Sequence, residues 1–591
     1  MAGNSRRRQA YLLLAVLLTL GAALRLTGLG FGLPAIYNPD ELAIMNRAIA
    51  LGQNGLNPQN FLYPSLYFYA LFACEGVLFV LGWLTGRFDS LAAFEQLYFV
   101  DPSVFYLTGR LLSVACGVAT IWATWRLGTR LFGPVAGLAA AALLAVAPLA
   151  VRDAHYVKHD VPVALLIVLT HLALARRPAG HFNSPPPAST FWLRSLRSSA
   201  GSWWWLASLF AGLSLSTHYY AVFVLVPVVI VVSAPLAPGE PWRHRLRRTL
   251  ATLTVAAAAF IATSPFLLVE FGTTYRDVVA NRAIVVDRAT TSGGAFASIA
   301  FYLRWLASDA AGSVAAALAV AGFVALARAG WMRVTIALAF PVVFLLFMAN
   351  TVPASRYLNP VLPFVSLLGG AAVSWVASAS RTGRVVAAVA LAIAVTEGAI
   401  VSAHGNAFFR QPDTRTLARD WFEQHVPSGA SVLVQPYSVP LRPSREALDE
   451  ALTAHLGDPA RASVRFQRQR ALQPYPEPAY RTIYLGSGGM DVDKIYLQPD
   501  AVDDEHGLAP IRRLGITRVI MKRYNVENPA MAALIRALER DGTLEASFSP
   551  YRPDIDAARR RDTPPFEHNT GVRIDRALER PGPIIEIWNI D

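Results

Sequence analysis

Long apolar runs separated by short polar or basic stretches fill the first two thirds of the chain. They lie at about 10–29, 62–84, 104–126, 135–151, 161–176, 202–217, 219–234, 249–269, 309–327, 331–349, 357–378 and 385–403. Each of these twelve runs has about the length that a helix needs to cross a bilayer. From His404 the pattern changes. TRTLARDWFEQH has apolar residues at helical spacing and PSG stops it; ASVLV then reads as a short strand, with GITRVIMKRYN and GPIIEIWNI as two more. The pattern predicts a polytopic α-helical membrane domain over residues 1–403 and a soluble α/β domain over 404–591, with proline-rich loops such as QPYPEPAY.

Lys and Arg mark the cytoplasmic ends of membrane helices. The basic clusters are Arg6 to Arg8, Arg126 with Arg130, Arg176 to Arg197, Arg243 to Arg248, Arg328 with Arg333, and Arg381 with Arg384. For all six to share one side, the crossings between the first cluster and Arg126 must be even in number, yet three apolar runs lie there. The run 62–84 carries Glu75 and starts at a Tyr63-Pro64 break. It is the one expected not to cross, either lying along the outer interface or dipping in and returning. About 11 transmembrane helices remain, with the N-terminus cytoplasmic and the tail after Ala403 extracytoplasmic. SRRR before the first run has the look of a secretory signal, but the chain continues through Arg25 to Pro34 without a small-residue cleavage site. An uncleaved first helix is the expectation.

Composition agrees with a membrane protein: 54% of the 591 residues are hydrophobic and 16% charged, against about 25% charged in soluble domains. The net charge of +13 has its source in the basic loops, so no nucleic-acid partner is expected. Cys74 and Cys116 both sit in apolar runs without metal-ligand or redox spacing, which excludes a disulfide framework and a Cys-type zinc site. HExxH, GxSxG and Walker patterns are absent from the sequence, and GSGG at Gly486 to Gly489 lacks the strand, lysine and helix of a phosphate loop and reads as a turn.

On this topology the unexpected polar residues fall on the outer face. They are Asp40 and Glu41 in YNPDE, the group Arg152, Asp153, His155, Lys158, His159 and Asp160 in VRDAHYVKHDVP, then Arg276, Asp277, Arg282, Asp287 and Arg288, and finally Arg356 with Tyr357 in ASRYLNPVLPF. Charged groups near hydrocarbon are costly and mark functional cavities, although a single loop charge such as Arg276 is ordinarily just solvated. Asn-Pro-Asp also suits a helix N-cap with Glu41 in the first turn. Capping accounts well for one acid and weakly for the second. His218 in LSTHYYAV is either a histidine packed at a helix end or an N–H donor to a phosphate.

Four stretches carry a family resemblance: YNPDE, YPSLYFYALF, RDAHYVKHDVP and SRYLNPVLPF, in this order over roughly residues 10 to 400. With them the chain resembles the polytopic glycosyltransferases of the C-type (GT-C) fold, in particular family 39, which includes the protein O-mannosyltransferases, and the related lipid A aminoarabinose transferases. The resemblance implies a bundle of that type and a transferase that uses a polyprenyl-phosphate-linked sugar at the outer face. It makes Asp40 the favoured catalytic residue with Glu41 its neighbour, matches Asp160 to the acid of the second outer loop, and matches Arg356 to the arginine before the late Pro-rich helix. His218-Tyr219 departs from the Lys-Tyr of relatives, which removes a permanent charge from that position.

The chemistry of such a transfer fits these residue types. A base or polariser acts on the acceptor hydroxyl, for which Asp40 is the candidate. Cationic, N–H or O–H donors steady the phosphate as negative charge builds there: Arg356, Lys158, His218 and Tyr357. Attack from the face opposite the phosphate implies inversion. Asp40 and Glu41 are also the candidate ligands for a divalent metal, since two carboxylates can hold one through oxygen; metal-assisted and metal-free sites both stay open. The acceptor, whether lipid, glycan or protein, is not legible in the residues, and the tail selects it, covers the site or caps the bundle. The competing class is a lipid or solute transporter or flippase, which usually shows internal repeats and Gly/Pro-broken midplane helices; neither is evident here.

Overall fold

The computed structural model describes residues 2–177, 203–286, 294–486, 491–498, 501–502, 506–523, 531–567 and 571–591. All twelve apolar runs are helical. Among the described residues, seven helices are long and apolar enough to cross a membrane; they include Arg7–Leu26, Ser103–Phe132, Trp242–Thr263, Trp331–Met348 and Leu362–Ala379. The run set aside on charge parity is also one of the seven, the helix Leu66–Leu84. Six apolar helices are shorter, and one of them, Leu91–Val100, lies outside the twelve expected runs. Asp287 and Arg288, most of the basic stretch up to Arg197, and all of GSGG but Gly486 fall outside the described residues.

The chain forms two compact units. The first takes in Met1–Leu29, Ala43–Glu75 and Thr108–Asn406; the second takes in Gly30–Leu42, Gly76–Leu107 and Ala407–Asp591. A boundary at 403/404 therefore leaves two segments of the second unit behind, one of them carrying YNPDE.

In the first unit, a proline break explains how a charge is housed within the opening helix. Pro148 has no N–H to give to the carbonyl four residues back, so the helix Pro134–Val146 ends and Pro148–Asp153 begins anew. Arg25, 1% exposed, fills the gap. Its Nη2 donates to the Leu144 carbonyl at 3.2 Å and its Nη1 to those of Ala145 and Gly21 at 2.9 and 3.0 Å. The hydroxyl of Ser402 takes up the next carbonyl, Val146, at 3.0 Å. Small residues then let helices approach closely, as they do in membrane bundles. A Cβ at Gly370 would run into the Ala136 carbonyl, and one at Gly322 into that of Leu368.

Glu75 lacks this satisfaction. It is 4% exposed, and neither carboxylate oxygen has a hydrogen-bond partner among the described residues. Burying an unpartnered polar group costs free energy. Replacing it by an unbranched apolar side chain, Glu75→Met, is expected to stabilise the protein by about 1–3 kcal/mol, seen as a higher melting temperature in detergent. A lower melting temperature would mean that the carboxyl has a partner in the folded state.

The tail region of the second unit is an α/β fold, as the pattern predicts. Its strands are β1 (Ser431–Val434), β2 (Arg481–Leu485), β3 (Ile495–Leu497), β4 (Arg518–Arg523), β5 (Thr543–Phe548) and β6 (Ile584–Asn589), in the order β3-β2-β1-β4-β6-β5. β1 pairs in parallel with β2 and β4, and β6 runs antiparallel to β4 and β5. Both faces of the sheet are covered, which is why β1 and β4 read as continuous apolar stretches. Val432 and Val434 pack with Ile520, Ala418 and Phe422 on one side, while Leu433 packs with Val519, Leu534 and Leu538 on the other. The three expected strands are β1, β4 and β6. The other three are short or partly exposed and lack the apolar run that marks a buried strand.

Candidate active site

The outer loops expected on one face come together within the first unit. The amide of Phe61 donates to Asp277 Oδ2 at 2.8 Å, and Asn281 Nδ2 to the Leu62 carbonyl at 2.8 Å. Tyr219 donates to the Phe61 carbonyl at 2.9 Å. On the other side, Arg152 donates to Ser355 Oγ at 3.2 Å, Asn359 donates to Asp153, and the amide of Val352 donates to the Val285 carbonyl at 2.9 Å. Segments hundreds of residues apart thus share one set of hydrogen bonds.

The charges of VRDAHYVKHDVP are not surface charges. Arg152, Asp153, Lys158, His159 and Asp160 are all 5% exposed or less. By contrast the side chain of Arg276 is 73% exposed, with an ion pair to its neighbour Asp277 at 3.2 Å. Arg152 and Asp153 form a buried pair at 2.7 Å, and His155 has both ring nitrogens within hydrogen-bond reach of carbonyls, Val151 at 2.9 Å and Thr27 at 2.8 Å. These residues build the scaffold of the loop.

Asp160 opens the helix Asp160–Leu174, and its Oδ1 accepts from the Tyr220 hydroxyl at 3.3 Å. Around that pair lies a basin of rings. His218 stacks on Tyr220 with centroids 3.7 Å apart, Tyr63 stacks on His159 at 4.3 Å and meets His218 edge-on at 5.1 Å, and Tyr357 meets Tyr220 edge-on at 6.3 Å. The Arg356 guanidinium lies 5.4 Å from the Tyr357 ring centre, and the Lys158 ammonium 5.2 Å from that of Tyr156. Around one basin lie His218, Tyr357 and Arg356 of the expected phosphate-binding residues, together with Asp160, expected as a catalytic acid.

His218 takes its protonation state from this setting. Burial, ahead of the nearby His159 and Arg356, holds its pKa well below the ordinary histidine value. Its Nδ1 accepts the Tyr220 amide at 3.4 Å, which leaves Nε2–H as the donor of a neutral ring.

Asp40 and Glu41 belong to the second unit, in the first turn of the helix Pro39–Ala50. The cap of this helix is Asn38 and not Asp40: Asn38 Oδ1 accepts the Asp40 amide at 3.1 Å, and the Asn38 carbonyl accepts that of Glu41 at 3.1 Å. The capping role that competes with chemistry at Asp40 is therefore already filled. Asp40 is half-buried and Glu41 wholly buried.

The segment is gripped from within its own unit. Tyr37 shares a hydrogen bond of 2.6 Å with Thr416, and the Arg415 guanidinium sits 3.9 Å over the Tyr37 ring. Arg415 in turn chelates Asp413 through Nε and Nη2 at 2.8 and 2.7 Å and donates to the Glu567 carbonyl at 2.7 Å. Burial, together with the nearby Asp413, raises the Tyr37 pKa, so its hydroxyl stays protonated. Among the described residues no three His, Cys, Asp or Glu side chains gather as metal ligands. Asp40 and Glu41 thus lack a third such ligand among the described residues.

Several participants were not singled out by the sequence. Tyr63 and Tyr220 stand in stretches already noted, YPSLYFY and THYY, where repeated tyrosines, in the second case beside a histidine, were the available signal. Tyr37, Arg415 and Thr416 had no such signal, since they meet across 379 residues.

Residues 106–179 match the model of the dolichyl-phosphate-mannose-protein mannosyltransferase family. The chain carries a segment of a membrane glycosyltransferase. The matched segment includes Lys158 and Asp160, and the fold class and enzyme class expected from the sequence are borne out. Among solved structures, ArnT from Cupriavidus metallidurans bound to undecaprenyl phosphate is similar over 98% of this chain and 97% of its own, at 12% identity and a TM-score of 0.49. The Archaeoglobus fulgidus oligosaccharyltransferase AglB, in complex with an inhibitory peptide and a dolichol-phosphate, is similar over 92% of this chain and 74% of its own, at 10% identity and a TM-score of 0.47. No curated protein matches the sequence.

Proposed function

We propose that this membrane glycosyltransferase moves a sugar from a polyprenyl-phosphate donor to a hydroxyl of a lipid, glycan or protein acceptor, with inversion, at the extracytoplasmic face of the cell membrane. The observation that carries this reading is the basin around Asp160, built from a loop inside the mannosyltransferase-matched segment. In the proposed step Asp40 takes the proton of the acceptor hydroxyl, with Glu41 beside it. The acceptor oxygen forms its bond to the anomeric carbon from the face opposite the phosphate. The bond from that carbon to the phosphate oxygen breaks, and its electron pair stays on the phosphate. Arg356, Lys158, the Nε2–H of His218 and the Tyr357 hydroxyl steady the departing anion, while Asp160 holds Tyr220 and through it the stacked His218. Incubating the purified protein with a panel of polyprenyl-phosphate sugars tests the reading. Failure to release sugar from any of them would sink it.

Two expectations accompany it. Losing a charge-assisted hydrogen bond typically removes about 1.5–3 kcal/mol. Arg356→Ala is therefore expected to weaken donor use roughly ten- to hundredfold, read as apparent affinity and turnover on one donor; unchanged values would remove Arg356 from the phosphate site. The second concerns topology, for which the eleven-crossing arrangement with a cytoplasmic N-terminus is part of the proposal. Cysteines placed at Ser5 and at Glu423 are expected to label from opposite sides of sealed vesicles, and labelling from one side would refute it.

A further inference from the structure

The second unit contains a half-open cavity of about 310 Å³. Its wall is continuous with the YNPDE segment, since Ile36 and Leu42 line it on either side of Asp40. The remaining wall combines aromatic rings, Tyr98 and Tyr475 among them, with Arg419, Arg442 and Arg465, against a single carboxylate, Glu423. Arg419 is paired with Asp420 at 2.6 Å, whereas Arg442 and Arg465 form no ion pair among the described residues. Arg442 is anchored by one backbone contact, Nη2 donating to the Val100 carbonyl at 3.2 Å, and the Arg465 guanidinium lies 5.3 Å from the Phe466 ring centre. Tyr475 is fixed in place through a 2.9 Å bond to the Pro443 carbonyl.

A guanidinium fork matches carboxylate and phosphate oxygens, and flat rings offer a face to an apolar surface. We propose that this cavity receives the acceptor and that the acceptor is a carbohydrate bearing a carboxylate or phosphate. Arg442 and Arg465 bind the anion, and Tyr98 and Tyr475 lie against the sugar ring. The inference rests on the glycosyltransferase reading for the word acceptor, but the site itself is tested without transfer.

The experiment measures binding of three probes to the purified full-length protein: trigalacturonate, maltotriose phosphate and neutral maltotriose. The expected result is binding of at least one anionic probe about 10- to 100-fold tighter than the neutral one, lost to a similar extent in Arg465→Gln and in Arg442→Gln. The stronger of the two anions identifies the group. Arg465 is solvent-exposed, so its variant is expected to fold, which a melting curve checks. Equal binding of charged and neutral probes, or undiminished binding in folded Arg465→Gln, would overturn the proposal. Arginine-dependent binding in a protein that uses no polyprenyl donor would support the cavity as an anionic-sugar site and count against the proposed function alone.

Discussion

Asp40→Asn is expected to yield a protein that folds, binds donor lipid and transfers sugar about 10²- to 10⁴-fold more slowly, the usual worth of a positioned proton acceptor. The substitution keeps size and hydrogen-bonding shape while removing the charge. It cannot act through the helix cap, because Asn38 supplies that cap and is untouched. Asp40→Ala is expected to give the same loss of turnover with little change in stability, whereas Asn38→Ala is expected to cost about 1 kcal/mol of stability. The companion measurement is Glu41→Gln: a loss as large as at Asp40 points to acids working as a pair, and a small one leaves Asp40 acting alone. Near-normal turnover of folded Asp40→Asn would remove the loop from the chemistry altogether.

The second large effect is expected at Arg415. Asp413 and Arg415 are both 2% exposed, and Arg415→Ala leaves a buried carboxylate without its partner. Breaking such a pair typically costs about 3–5 kcal/mol, a large share of the stability of a domain of this kind. Arg415→Lys is not expected to rescue it, because an ammonium cannot make the two-pronged contact to Asp413 nor lie flat over Tyr37. The readouts are melting and limited proteolysis of the region after Ala407, together with turnover at a temperature where the variant is still folded. If the grip on Tyr37 positions Asp40, turnover falls in the folded variant as well; if the pair serves stability alone, only the melting temperature moves. Thr416→Val, which removes just the hydroxyl bonded to Tyr37, is expected to be milder, at about 1 kcal/mol.

Which properties were legible along the chain follows from the range of the forces involved. The apolar runs specify helices because a backbone in hydrocarbon must satisfy itself locally, and all twelve runs are helical for that reason. The continuous apolar runs in ASVLV and GITRVIMKRYN mark strands buried on two faces, and β1 and β4 appear where they stand. The resemblance carried by RDAHYVKHDVP and its companion stretches was a matter of residue order, so the enzyme class could be read without coordinates.

Other properties depended on contacts that no local pattern encodes. Nothing in NPD says whether Asn38 or Asp40 caps the helix, since both side chains suit the role and the backbone angles decide between them. A charged stretch such as VRDAHYVKHD reads alike whether it is solvated or buried; the approach of Ser355, Asn359 and Tyr220 buries it and converts it into a scaffold with one acid at the basin. The break at 403/404 is a change of composition, and composition is blind to the fact that Tyr37 seats itself under Arg415 and draws the YNPDE segment into the same unit as the tail. The sequence by itself determined the elements, their order and the class of chemistry, because these rest on hydrophobicity and short-range hydrogen bonding. The tertiary structure alone decided which polar groups are buried together, because that depends on pairings between residues distant in the chain, whose cost is offset only once the fold has brought them together.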